Sequence, residues 1–174
     1  GVIENYKSLK KFLTDKGITF KSQTDTEVLV QLISYIYKNE KVTFEEAVKL
    51  SLSKVVGAYG IIAMCQDNPN ELIAAKKGSP VIIGISNDGY FISSDASSII
   101  EYTKNILYLD ENEIISFKKG KYKVTSMDSD LVVDKKIQYL DIDIAAIEKG
   151  NYDHFMLKEI FEQPHAIMNS LRGR

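Results

Sequence analysis

The pattern of apolar residues changes character at Gly57, and this one change restricts the chain to folds that combine helices with sheets. Upstream, Ile3, Tyr6, Leu9 and Leu13 recur at helical spacing, as do Val28, Leu29, Leu32, Ile33 and Ile36. Gly17 is a natural stop for the first of these helices. Ile18-Thr19-Phe20, short and rich in β-branching, is expected to be a strand. Thr24 and Glu27 stand three apart just before the second helix, the spacing of a capping box. In such a box the Thr hydroxyl accepts from one free backbone N–H and the Glu side chain returns to another. Thr43 and Glu46 repeat the pattern for a third helix reaching about Lys54.

Downstream, Ala58 to Cys65 is an almost unbroken apolar run, expected as a strand buried on both faces. Short strands are expected at Leu72–Ala75, Val81–Ile85, Tyr90–Ile92, Ile106–Leu109, Glu113–Phe117 and Tyr122–Thr125. Turns fall at Asn87-Asp88-Gly89 and Lys119-Gly120. Ser94 or Asp95 can cap a short helix through Tyr102, and the stretch from Asp128 to Asp153 reads as loose and extended. Helical character returns from His154 to Gln163, and Pro164 is expected to kink or restart the helix. Helices on both sides of a strand-rich middle make the fold class α+β.

Composition matters mainly for what it excludes. A chain of 174 residues with 44% hydrophobic content can bury the core of one domain. Its 22 basic and 24 acidic residues form no long basic block, which argues against a nucleic-acid partner. No apolar run is long enough to cross a bilayer and no secretory signal opens the chain, so no membrane partner is expected. Cys65, the only cysteine, cannot form an internal disulfide, in keeping with a reducing, cytoplasmic setting.

Few residues could carry chemistry. His154 and His165 lie far apart in sequence and far from Cys65, so neither a metal nor a cofactor is expected. Cys65 ends an apolar strand without a cationic neighbour and reads as an inert small hydrophobe. Ser93-Ser94-Asp95 reads as a helix cap, Gly57-Ala58-Tyr59-Gly60 as strand entry, and Lys158 and Glu159 as solvated charges. Asp25 is the exception. It falls in the first helical turn with no capping duty, beside free backbone N–H groups at the positive end of the helix dipole. Either it complements that dipole, or it is a fixed anion that receives the ammonium of a small ligand.

Three stretches together carry a family resemblance. Gly1-Val2-Ile3-Glu4-Asn5-Tyr6 resembles the second half of a His-Asn-Gly-(Ile/Val)-Ile-Glu-Asn motif. Ser22-Gln23-Thr24-Asp25-Thr26-Glu27-Val28 resembles a Ser-x-Thr-Asp-Thr-Glu-Val motif. His154-Phe155-Met156-Leu157-Lys158-Glu159-Ile160-Phe161-Glu162-Gln163-Pro164 is similar to a domain-exit signature. The first two motifs fit several class II glutamine amidotransferases, and the third narrows the resemblance to glutamine–fructose-6-phosphate aminotransferase (isomerizing).

The resemblance implies an N-terminal-nucleophile hydrolase fold, a four-layer αββα sandwich, here partial with its leading strands missing. Residues 1–153 would be the later part of the glutaminase domain, and 154–174 an exit helix toward a sugar isomerase domain. In that family an N-terminal cysteine attacks the glutamine amide with its own α-amino group as base. An Asn side chain and the N–H of the next Gly hold the oxyanion. Gly1 matches that glycine, and Asp25 matches the carboxylate that binds the α-amino group of glutamine. The cysteine, the Arg-Trp-Ala-Thr-His type loop and the oxyanion Asn precede the position of Gly1 in the family, so this polypeptide by itself is expected to be inactive. The partners implied are glutamine, fructose 6-phosphate through the isomerase domain, and further copies in a homo-oligomer. Two alternatives stay open: a non-catalytic ligand- or subunit-binding module of the same fold, and a fragment of another class II amidotransferase, phosphoribosyl-transferring or asparagine-forming.

Overall fold

Two antiparallel sheets and a layer of three helices account for most of the chain in the computed structural model, which describes residues 1–141 and 152–172. The chain divides into two compact units, Gly1–Tyr139 and Leu140–Arg174. In the first, β1 (Val2–Ile3) leads into α1 (Tyr6–Asp15), α2 (Asp25–Asn39) and α3 (Phe44–Leu52). The strands are β2 (Gly57–Cys65), β3 (Asn68–Lys77), β4 (Ile82–Ser86), β5 (Gly89–Ser93), β6 (Asn105–Tyr108), β7 (Glu113–Lys118), β8 (Lys121–Ser126) and β9 (Gln138–Tyr139). One sheet has the order β1-β2-β3-β7-β8 and the other β5-β4-β6-β9. The second unit holds α4 (Phe155–Arg172). Among the described residues no helix is long and apolar enough to cross a membrane.

Alternation along β3 and β7 builds two cores from one sheet. Ile73, Ala75 and Ile114 face the helices, meeting Leu29, Ile33, Phe44, Val48 and Leu52. Ala74, Ile115 and Phe117 face the other way, against Ile83 and Leu107 of the second sheet and Val81 just before β4. Leu13, Val28, Leu32, Ile36 and Ala47 close a third cluster among the helices. The result is the expected α+β class, with helix, sheet and sheet layers stacked in order. On the far face of the second sheet lies the segment after β5, with Ile99 and Ile100 buried.

Local signals place most elements. Gly17, at φ +83°, ends α1: its N–H reaches the Thr14 carbonyl at 2.9 Å and that of Ile18 reaches Leu13 at 3.0 Å, the paired bonds of a Schellman stop. Lys119 and Gly120 both take positive φ in the tight β7–β8 turn, where Lys118 pairs with Lys121.

Several expectations are corrected. Ile18-Thr19-Phe20 is not a strand; it pairs with no strand among the described residues, and Ile18 and Phe20 instead pack on the helical cluster. Ile3 belongs to β1 rather than to the first helix. After Asp95 only a 3-10 turn forms, Ala96–Ser98, capped by Asp95 accepting from Ser97 N–H at 2.7 Å, and single turns continue to Thr103. α4 is one helix across Pro164, so the helix does not restart there, although Pro164 supplies no N–H to the carbonyl four residues back. Lys158, expected in solvent, is buried, with Glu162 one turn on at 3.7 Å. The loose stretch after Asp128 contributes β9, paired to β6, while residues 142–151 lie outside the described residues.

The largest correction concerns β2. Its residues alternate between covered and open, and Ile62 and Met64 are 51% and 69% exposed. Along one edge β1 pairs only with Gly57 and Ala58, while β3 occupies the other edge from Tyr59 to Cys65. The apolar run is therefore a strand with one face and most of one edge open among the described residues.

Candidate functional site

The start of α2 is built by a network of short-range bonds. Thr24, in extended conformation, caps the helix by accepting from Glu27 N–H at 3.3 Å. The reciprocal half of the expected box does not form. Glu27 instead reaches back beyond the cap and accepts from the backbone N–H groups of Lys21 at 2.8 Å and Ser22 at 2.6 Å, and from the Ser22 hydroxyl at 2.6 Å. Ser22 Oγ in turn lies 2.8 Å from Thr24 Oγ1 and accepts from Thr24 N–H at 3.2 Å. The Lys21 N–H, followed by the Ser22 hydroxyl, holds the Glu27 carboxyl below the usual carboxylate range. Lys10 of α1 adds its Nζ, 4.8 Å from the centre of the Phe20 ring and 3.4 Å from the Ser22 carbonyl. Thr43 and Glu46, by contrast, form both halves of a box at α3, so residue spacing alone does not distinguish the two arrangements.

Asp25 follows directly on this network. Its Oδ2 accepts from Ile3 N–H at 2.8 Å, and its Oδ1 lies 3.5 Å from the Thr26 hydroxyl. One carboxylate oxygen thus fastens the helix start to β1, and the other points at no strong donor among the described residues. The side chain is half-buried.

β1 meets β2 at unusually close range. A Cβ on Gly1 would lie 2.2 Å from the Ala58 carbonyl oxygen, and one on Gly57, at φ +123°, 2.1 Å from the Val2 carbonyl oxygen. Neither position has room for a side chain. Asn5 anchors the exit from β1, donating to the Lys54 carbonyl at 2.8 Å and accepting from Val56 N–H at 3.0 Å. Of the two residues singled out from the sequence, Asp25 bonds to β1 at Ile3, two residues after Gly1. The Ile3 partner had no signal in the sequence, whereas Ser22, two residues before the cap, was a legible hint of the wider network.

The other candidates stay apart. Cys65 sits half-buried at a register shift where β2 ends. His154 precedes α4, and the side chain of His165 lies outside the described residues. Among the described residues no group of three or more His, Cys, Asp or Glu could hold a metal ion. A groove of about 460 Å³ runs between α2 and the open part of β2, from Thr26 past Ile33 and Tyr37 to Ile62 and Met64. It starts one residue from Asp25 and is mostly apolar.

The family model described as "Glutamine amidotransferase domain" matches residues 1–101, which include β1, the α2 start and the β1–β2 contact. Glutamine–fructose-6-phosphate aminotransferase [isomerizing] of Bacteroides thetaiotaomicron is 46% identical over 100% of this chain and 28% of its own length. The protein of the same name from Chlorobaculum tepidum is 42% identical over the same shares. The chain thus spans about 28% of the length of these curated relatives. Glutamine phosphoribosylpyrophosphate amidotransferase from B. subtilis, solved with ADP and GMP, superposes with a TM-score of 0.61 at 27% identity, covering 73% of this chain and 28% of that one. That likeness gives the sheets and helices the N-terminal-nucleophile fold. On the family match over its first 101 residues and on relatives similar along its whole length, the chain belongs to the glutamine amidotransferase domain family.

Proposed function

We propose that this chain is part of a glutaminase domain, in which Asp25 receives the α-ammonium of glutamine and the Gly1 backbone N–H stabilises the oxyanion formed at the side-chain amide. The observation that carries this reading is the bond from Ile3 N–H to Asp25 Oδ2 at 2.8 Å, which ties the carboxylate to β1, two residues after Gly1. A carboxylate held at a helix start is fixed before the ligand arrives, so binding an ammonium costs little reorganisation. A backbone N–H held in place by the fold can stabilise a negative charge that develops beside it. The ammonia released would aminate fructose 6-phosphate in the full-length protein; the names of relatives at 46% and 42% identity support that acceptor over a phosphoribosyl one, found at 27%.

The test is glutamine hydrolysis by the full-length protein carrying Asp25→Ala. The expected result is a rise in KM for glutamine on the order of a hundredfold, since a charge-assisted bond to the ligand is lost. An unchanged KM in a folded variant would remove Asp25 from the site.

A further inference from the structure

Glu27 lies outside any ligand contact assigned above, yet it accepts more hydrogen bonds than its place in the helix requires. A residue at this position of a capping box ordinarily returns to the cap residue's own N–H. Here its two oxygens take Lys21 N–H, Ser22 N–H and the Ser22 hydroxyl, at 2.8, 2.6 and 2.6 Å. The Ser22 hydroxyl then reaches both the side chain and the backbone of Thr24, the residue before Asp25. The loop from Lys21 to Thr24 is thus drawn into a fixed turn by one ionised carboxylate, with bonds of the stronger, charge-assisted kind. Asp25 continues from that turn, and its side chain is pinned at the far end by Ile3 N–H. We infer that Glu27 is a positioning residue for glutamine: through Ser22 and Thr24 it sets where the Asp25 carboxylate stands, without touching the ligand. The inference rests on the proposed role of Asp25.

A carboxylate is needed for this role. In Glu27→Gln one acceptor oxygen becomes an NH2 group, which must face either the Lys21 or the Ser22 N–H, donor against donor. The turn then loosens at one end while the helix cap, made by the Thr24 hydroxyl, remains. A displaced Asp25 would bind glutamine less well in the ground state and the transition state alike, so KM should move more than kcat.

The experiment is a double-mutant cycle in the full-length protein, read as the KM for glutamine with thermal melting as a folding control. Glu27→Gln is expected to raise KM about tenfold with a smaller change in kcat. Ser22→Ala, which removes the bridging hydroxyl and leaves the carboxylate, is expected to raise it less, and serves as the test if Glu27→Gln does not fold. In an Asp25→Ala background neither change should raise KM further, because the group they position is gone. If Asp25→Ala raises KM while Glu27→Gln and Ser22→Ala do not, the positioning role is overturned and the Asp25 reading survives. If the effects of Glu27 and Asp25 simply add, Glu27 acts on glutamine by itself and the inference is also overturned. If Asp25→Ala leaves KM unchanged, it is the underlying reading that fails.

Discussion

Asp25 and Ile3, 22 residues apart, are joined by a hydrogen bond of 2.8 Å from the Ile3 backbone N–H to the Asp25 carboxylate. The bond gives one side chain two separable duties, holding β1 and presenting negative charge. Asp25→Asn separates them, since the amide oxygen can still accept from Ile3 while the charge is lost. Its thermal stability should stay within about 1 kcal/mol of the parent. Its KM for glutamine, measured in the full-length protein, should rise nearly as far as that of Asp25→Ala. An Asn variant with the parent's KM would show that the ligand does not use the charge.

Gly84 in β4 leaves space that Ile99 fills. A Cβ there would stand 2.3 Å from Ile99 Cγ2 and 2.8 Å from Thr103 Cγ2. Thr103 is itself tied to the strand by donating to the Ile85 carbonyl at 2.6 Å, so it cannot move away freely. Gly84→Ala is expected to cost about 1–3 kcal/mol, the usual penalty of overpacking. Chemical denaturation would measure it, and Ile99→Ala should recover part of the loss in the double variant, making the pair non-additive.

Tyr59 supplies an alkaline signature. Burial among the helix–sheet core pushes its phenol up to about 12, with Asp128 and Glu111 adding to the effect. A group whose folded value is raised contributes stability that is whole below its unfolded value, near 10, and is lost as pH climbs toward the folded one. Stability should therefore fall between about pH 10 and 12, by about 2–3 kcal/mol from this group. Tyr59→Phe should flatten that part of a pH series of denaturation midpoints, and an identical slope in the variant would assign the loss to other groups.

The open side of β2 should make a polypeptide of residues 1–174 self-associate. Ile62 and Met64 stand exposed on a strand whose edge, beyond Ala58, carries no partner among the described residues. Unpaired backbone and an apolar face together invite a second strand. Light scattering over a concentration series should show growth in mass, and Ile62→Lys should suppress it. A monodisperse monomer at high concentration would contradict the expectation.

Much of this was legible in the order of residues. The Thr24 and Thr43 caps, the Gly17 stop and the Lys119-Gly120 turn are short-range codes, set by backbone groups within a few positions of the residue concerned. The start of α2, and with it the place of Asp25 in the first turn, followed from those codes. What failed did so because propensity carries no partner. Ile18-Thr19-Phe20 has the composition of a strand, but it pairs with no strand among the described residues. The run from Ala58 to Cys65 is apolar enough for burial on both sides, yet nothing in its composition says whether both sides are covered.

The sequence by itself determined the α+β class, the helix that begins at Asp25, and the motifs that relate the chain to glutamine amidotransferases. Only the tertiary structure decided what Asp25 is attached to, that Glu27 binds the loop before the cap rather than the cap itself, and that Gly1 and Gly57 lie where a Cβ would strike the opposite strand. The physical reason is range. Caps and turns are satisfied by neighbours along the chain, whereas a carboxylate that accepts from a backbone 22 residues away does so only once packing has brought the helix against the strand.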